Sequence, residues 1–319
     1  MRFLVAFFLF FLVGAAKAEE KVILKVFHAG SLSVPFAAME RAFEARYPWI
    51  DVRREPSGSV LAIRKVTELK KPCDVVASAD YVLIPKMMFP HYADHVYLFA
   101  RNELVLCYTP RSRFAKEINE KNWFEILARP RVKWGFSNPN IDPCGYRTVM
   151  MIALAELHYQ KPLLETLLGS YLPISWEREG EEILITVPQD LVPRGRKVFV
   201  RPKSVELLGL LESGALDYAV EYVSVARQHG LRYLPLPPQI NLGHREEEAF
   251  YRRVKIRLGT GKLVRGGPII YGIAALKTAP HPKEARLFEA FVIGPEGERI
   301  LKENFQIPLR PAQEIRVSP

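Results

Sequence analysis

The chain has 319 residues, 49% of them hydrophobic and 25% charged, with a formal net charge of +10. That composition is ordinary for a globular protein and excludes a low-complexity or intrinsically disordered chain. The basic residues are scattered and interleaved with acids, as where Arg178 lies between Glu177 and Glu179, so no nucleic-acid-binding stripe is written here. Cysteines number three, Cys73, Cys107 and Cys144, with no C-x-x-C pair. At most one disulfide and no cysteine-spaced zinc site are available.

Met1-Arg2, the apolar run Phe3 to Ala16, and the small-x-small step Ala16-Lys17-Ala18 read as a secretory signal peptide over residues 1–18. The apolar run is too short to span a bilayer comfortably. The expectation is an exported protein, soluble or held by its N-terminal segment. Its loss removes Arg2 and Lys17 and takes the net charge from +10 to +8. About 300 remaining residues exceed one comfortable core, so two domains are expected.

Val22 to Phe27 reads as a strand broken by His28-Ala29-Gly30-Ser31. Phe36, Met39, Phe43 and Tyr47 then fall at helical spacing, and Pro48 ends that helix. Ile50 to Arg54 is extended, Ser57-Gly58-Ser59 opens a helix from Val60 to Leu69, and Asp74 to Ser78 is a third strand. Repeated strand-turn-helix units predict an α/β sheet with helices on its faces. Asn102 to Tyr108 reads as a crossover strand leaving the first lobe, with Val132 to Phe136, Val198 to Val200 and Tyr218 to Val220 as strands of a second. Ile269 to Leu276 returns to the first, and helices follow over Lys283 to Val292 and after Pro295. The expected division is 22–102 plus 225–319 for lobe 1 and 103–224 for lobe 2, with a ligand cleft between them.

Several strand ends share one pattern, small or hydroxyl residues before a helix start: Gly30-Ser31, Gly58-Ser59, Asp142-Pro143-Cys144-Gly145, Lys203-Ser204 and Tyr222-Val223-Ser224. The carboxyl ends of strands in an open α/β sheet face the ligand crevice. A helix start offers unpaired N–H groups and a positive dipole end, so several aimed at one point make a socket for a compact anion. Ser31, Ser59 and Tyr222 add hydroxyl donors. The plainer reading of any one such serine is an N-cap worth roughly 1 kcal/mol. Asp142 likewise suits an N-cap for the helix that follows.

Lys25-Val26-Phe27-His28-Ala29-Gly30-Ser31-Leu32, Phe43-Glu44-Ala45-Arg46-Tyr47-Pro48 and Ser57-Gly58-Ser59 resemble the extracytoplasmic solute-binding proteins of ABC importers. Ser137 to Arg147 and Asp217 to Ala226 are similar to the archaeal-type tungstate/molybdate-binding branch of that family, and the resemblance covers nearly the whole mature chain. It implies a type II periplasmic-binding-protein fold that closes over one tetrahedral oxyanion, tungstate or molybdate, and delivers it to an ABC permease. It implies no cofactor, no enzyme activity and a monomer. The anion-binding set it implies is Gly30, Ser31, Ser59, Asp142, Pro143, Cys144, Ser204, Glu221 and Tyr222. At Cys144 the backbone N–H is expected to matter more than the thiol.

The branch also resembles proteins in which two carboxylates approach the metal centre. Asp142 matches one of them, where a hard Mo(VI) or W(VI) centre can accept an extra oxygen ligand that sulfate or phosphate cannot. The second acid of the pattern falls where this chain has Ser204. Glu221 and Glu206 are the nearest replacements, and Glu221, ending a strand at the expected cleft, is the preferred one.

Other signals are weaker. Gly259-Thr260-Gly261-Lys262 lacks phosphate-loop spacing and reads as a turn. His91 and His95 stand four apart but have no third ligand, and no G-x-S-x-G elbow surrounds Ser31 or Ser59. The alternatives left are a binding protein for another oxyanion, such as sulfate or phosphate, and a secreted enzyme using the same cleft.

Overall fold

The computed structural model describes residues 21–317. The expected signal peptide therefore lies outside the described residues, and among those described no helix is long and apolar enough to cross a membrane.

Two sheets form the frame, each the centre of an α/β lobe. The first has six strands in the order Ile307–Arg316, His95–Arg101, Ile270–Ala275, Val75–Ser78, Val22–Ala29, Ile50–Ser57. Val22–Ala29 runs parallel to both of its neighbours, with Ala29 opposite Ser57 and His28 opposite Ala77. The second has five, in the order Arg232–Pro235, Leu104–Tyr108, Tyr218–Tyr222, Trp134–Ser137, Val198–Arg201. Here Trp134–Ser137 is parallel to both Tyr218–Tyr222 and Val198–Arg201. A four-stranded sheet of Ser175–Glu179, Glu182–Thr186, Val254–Arg257 and Leu263–Arg265 flanks the second lobe. These central strands are buried on both faces, as their near-continuous apolar runs require.

The chain crosses between lobes at Asn102 and again at Ile269, whose N–H donates to Leu242 O at 2.8 Å. The return falls later than expected. The sequence places residues from 225 onward in lobe 1, but Arg232–Pro235 pairs antiparallel with Leu104–Tyr108, and Val254–Arg257 pairs with Glu182–Thr186. Those short strands are pinned by neighbours far away in sequence, which local periodicity does not register.

Asn102 ties the crossing together. Its side-chain amide donates to Ser224 Oγ at 2.7 Å, to Tyr271 Oη at 3.1 Å and to Gln306 Oε1 at 3.2 Å. The three cysteines are buried and unpaired with one another.

His95 opens the strand His95–Arg101. Its Nδ1 lies 2.7 Å from Asp94 Oδ1 and its Nε2 lies 2.8 Å from Glu289 Oε1. The Glu289 bond, with help from Asp94 and against burial, raises its pKa from 6.5 to about 9. A raised histidine stabilises the fold below its unfolded pKa and loses that contribution as pH climbs through the folded one. Urea denaturation should accordingly show stability falling by on the order of 2 kcal/mol from about pH 6.5 to 9. His95→Gln should flatten that decline, and an unchanged slope in the variant would assign it elsewhere.

Candidate functional site

The carboxyl ends of the parallel strands of both lobes meet. Lobe 1 supplies the turns after Ala29, Ser57 and Ser78, and lobe 2 those after Ser137, Arg201 and Tyr222. The two sides are in contact. A Cβ placed on Gly58 would lie 2.4 Å from Ile141 O and 3.1 Å from Asp142 Cβ, and one on Gly30 would lie 3.3 Å from Val205 Cγ2. Gly58 is thus required by the close approach of lobe 2 backbone. Gly58→Ala should hold the lobes apart, weakening ligand affinity about 5- to 150-fold, the equivalent of 1–3 kcal/mol of overpacking. Small-angle scattering with saturating ligand should then report a larger radius of gyration than wild type. Equal radii would mean that the cleft tolerates the methyl group.

Ser31, Ser59 and Tyr222 are all buried here, and none caps a helix through its side chain. The plainer capping reading of the two serines is replaced by another arrangement. Ser59 Oγ accepts the Ala79 N–H at 2.9 Å. Arg147 Nη1 donates to Tyr222 Oη at 2.9 Å. Ser31 Oγ lies 2.9 Å from Tyr271 Oη, which also receives the Asn102 amide. The Ser59 and Tyr222 oxygens each accept from a donor and have no acceptor of their own among the described residues. Those two hydroxyls keep their own protons uncommitted. The Ser57 hydroxyl, at an adjacent strand end, is buried with no partner.

Asp142 caps the helix Pro143–Tyr159, with Pro143 in its first turn. Oδ1 accepts the Cys144 N–H at 3.3 Å and Oδ2 accepts the Ser204 N–H at 2.9 Å, so the carboxylate staples two loops of lobe 2. The Cys144 N–H, expected to face the ligand, is engaged by this cap, and its thiol rests 3.8 Å from Glu221 Oε2. Glu221 is fully buried. Its Oε2 accepts the Tyr222 N–H at 2.7 Å while its Oε1 has no partner. Burial pushes both carboxyls upward, Asp142 to about 6 and Glu221 to about 8, against the pull of the N–H and hydroxyl donors around them. Among the described residues no group of three or more His, Cys, Asp and Glu side chains is arranged to hold a cation.

Sequence reasoning missed the charge balance. Arg147 is buried, donates to Ala79 O at 2.7 Å as well as to Tyr222, and its Nη2 lies 3.8 Å from Asp80 Oδ1. Asp80 Oδ2 accepts the Tyr146 hydroxyl at 2.5 Å. Both contacts join lobe 2 to lobe 1. The available signal was an arginine one turn into an otherwise apolar helix, since a buried arginine needs partners. Tyr271 and Asn102, contributed from distant strand ends, left no local signal.

A buried hydroxyl cluster between two α/β lobes defines the class of protein. Residues 24–305 match the bacterial extracellular solute-binding protein family, and the chain belongs to that family. Among its relatives, the molybdate/tungstate-binding protein WtpA of Pyrococcus abyssi is 46% identical over 297 residues, covering 90% of this chain and 85% of that protein. WtpA of Thermococcus kodakarensis is 44% identical, covering 93% and 85%. The periplasmic molybdate-binding protein of Azotobacter vinelandii has the same fold at TM-score 0.62, with 16% identity over 89% of this chain and 98% of that one. The sulfate-binding protein SubI of Mycobacterium tuberculosis aligns at TM-score 0.57 with 13% identity, over 91% of this chain and 88% of that one. The fold is thus the two-lobed periplasmic-binding-protein fold expected from the sequence.

Proposed function

We propose that this protein captures tungstate or molybdate outside the cytoplasm and delivers it to an ABC-type permease, binding without turnover. The observation that carries the reading is the set of three buried hydroxyls, Ser31, Ser59 and Tyr222, of which Ser59 and Tyr222 accept from a donor and keep a proton to give. Such a set suits a dehydrated ligand made of acceptors on every side. Relatives named for molybdate and tungstate binding, at 44–46% identity over most of the chain, support that ligand over other oxyanions.

In this reading Gly30, Ser31, Ser59, Cys144, Ser204 and Tyr222 surround the anion, with Pro143 shaping the loop. Asp142 approaches the metal centre. Glu221 supplies a second carboxylate through its unpartnered Oε1, in place of the acid that the resemblance leads one to expect at Ser204. Arg147 lies beside Tyr222 and offsets the anion's charge. Competition calorimetry among tungstate, molybdate, sulfate and phosphate tests the assignment. Tight 1:1 binding of the first two, with the others failing to displace them, is the expected result; preferential binding of sulfate or phosphate would reject it.

A further inference from the structure

Beside the candidate site lies a cavity of about 540 Å³ whose walls come from both lobes. Lys86 enters it from lobe 1, and Arg245, Arg252 and Arg265 from lobe 2, while Tyr146 and Arg147 form its inner wall. Those last two close lobe 2 onto Asp80 and Ala79, and Arg147 also bonds Tyr222 of the hydroxyl cluster, so the cavity adjoins that cluster through them. Five basic side chains line the cavity against three acidic ones, which leaves an excess of positive charge. The acids are already engaged: Glu248 with Arg252 at 2.6 Å, Asp80 with the Tyr146 hydroxyl, and Glu314 with Arg316 at 2.6 Å. Arg265 approaches Glu182 only at 3.9 Å. Lys86 and Arg245 have no carboxylate within ion-pair distance among the described residues. Nearby, the Lys262 ammonium is buried with no partner, and burial together with the charge of Lys86 lowers its pKa.

We propose that this cavity is the antechamber of the oxyanion site, where the unpaired charges of Lys86 and Arg245 gather the anion before it passes inward beyond Tyr146 and Arg147. The proposal rests on the oxyanion reading above. The two compartments differ in the way that transit and retention require. The inner one holds buried donors fixed by second partners, whereas the outer one presents long, exposed, weakly tethered cations that attract an anion without gripping it. A cleft lined by one excess sign of charge raises the local concentration of the opposite ion and can raise association rates by roughly 10- to 1,000-fold.

The test is the rate of tungstate association, followed by stopped-flow intrinsic fluorescence on the full protein. The Lys86→Glu/Arg245→Glu double variant should associate about tenfold more slowly at roughly 0.01 M ionic strength, with an unchanged dissociation rate. At about 1 M, where the screening length shrinks to roughly 3 Å, it should match wild type. Lys116→Glu/Lys121→Glu imposes the same change of net charge on an exposed turn of lobe 2 and should leave association near wild type. Equal slowing in that control, an unaffected association rate in the cavity variant, or faster dissociation as the main effect would each overturn the antechamber. A wild-type protein that takes up no tungstate would overturn the ligand assignment along with it. Tight uptake insensitive to the cavity charges would overturn the antechamber alone.

Discussion

Asp142→Asn is expected to weaken tungstate binding by about 100-fold, the upper end of what losing even an outer-sphere partner costs a metal site, while leaving sulfate binding unchanged or slightly improved. The two roles of this residue predict opposite patterns. As a cap, Asp142 holds the Cys144 and Ser204 N–H groups. Asparagine caps helices as well as aspartate does, and any loosening of the loops would weaken every oxyanion alike. As a ligand, a carboxylate beside an anion is repulsive unless its oxygen bonds to the central atom. Tungsten and molybdenum can accept that oxygen and sulfur cannot. Removing the charge should therefore penalise tungstate and relieve sulfate. Calorimetric titration of both anions into both proteins decides it. A parallel loss for tungstate and sulfate would reduce Asp142 to a structural cap.

Arg147→Met should lower tungstate affinity by about 10- to 150-fold, the loss of a charge-assisted interaction of roughly 1.5–3 kcal/mol, and also lower the melting temperature of the unliganded protein. The guanidinium is buried with Ala79 O and Tyr222 Oη as its close partners and the Asp80 carboxylate at 3.8 Å. Removing one member of a buried charge pair leaves the other uncompensated, so the substitution should also destabilise the unliganded protein. The affinity loss has two sources: the countercharge to the anion disappears, and Tyr222 loses the donor that directs its proton outward. Tyr222→Phe should remove only the second and cost less, about tenfold. An Arg147 variant that binds tungstate normally but melts early would make this residue a strut between lobes and no part of the ligand's surroundings.

The repeating units of lobe 1 were legible because each element is locally determined. Phe36, Met39 and Phe43 occupy one helix face and are fully buried, and Pro48 stands where that helix has ended. The strands at Val22, Ile50 and Val75 and the final helices were found at nearly their observed bounds. His95–Arg101 and Ile307–Arg316, which pair with each other across more than two hundred residues, were not. Neither was the late return to lobe 1, since Arg232–Pro235 has no identity apart from its partner strand. The site divides the same way. Ser31, Ser59, Asp142 and Tyr222 mark themselves by standing at strand ends before helices. Tyr271 and Asn102 act only through what folding brings to them, 240 and 169 residues away in the bonds to Ser31 and between themselves. A hydroxyl's donor or acceptor role is decided by its second partner, and second partners are not written beside it.

The Asn102 amide sits where the chain passes from one half to the other, touching Ser224 on the far side while it supplies the hydrogen bond behind Tyr271. An amide shared in this way is sensitive to the angle between the halves. Were they to swing apart, Ser224 would be drawn off and the amide freed to turn, and the bond it makes to Tyr271, the partner of Ser31, would loosen. Parting the halves would then loosen the grip as well as uncover the cargo. A carrier built so need not be weak in order to unload: whatever pries it open at the membrane would also undo part of the chemistry that made it hold on.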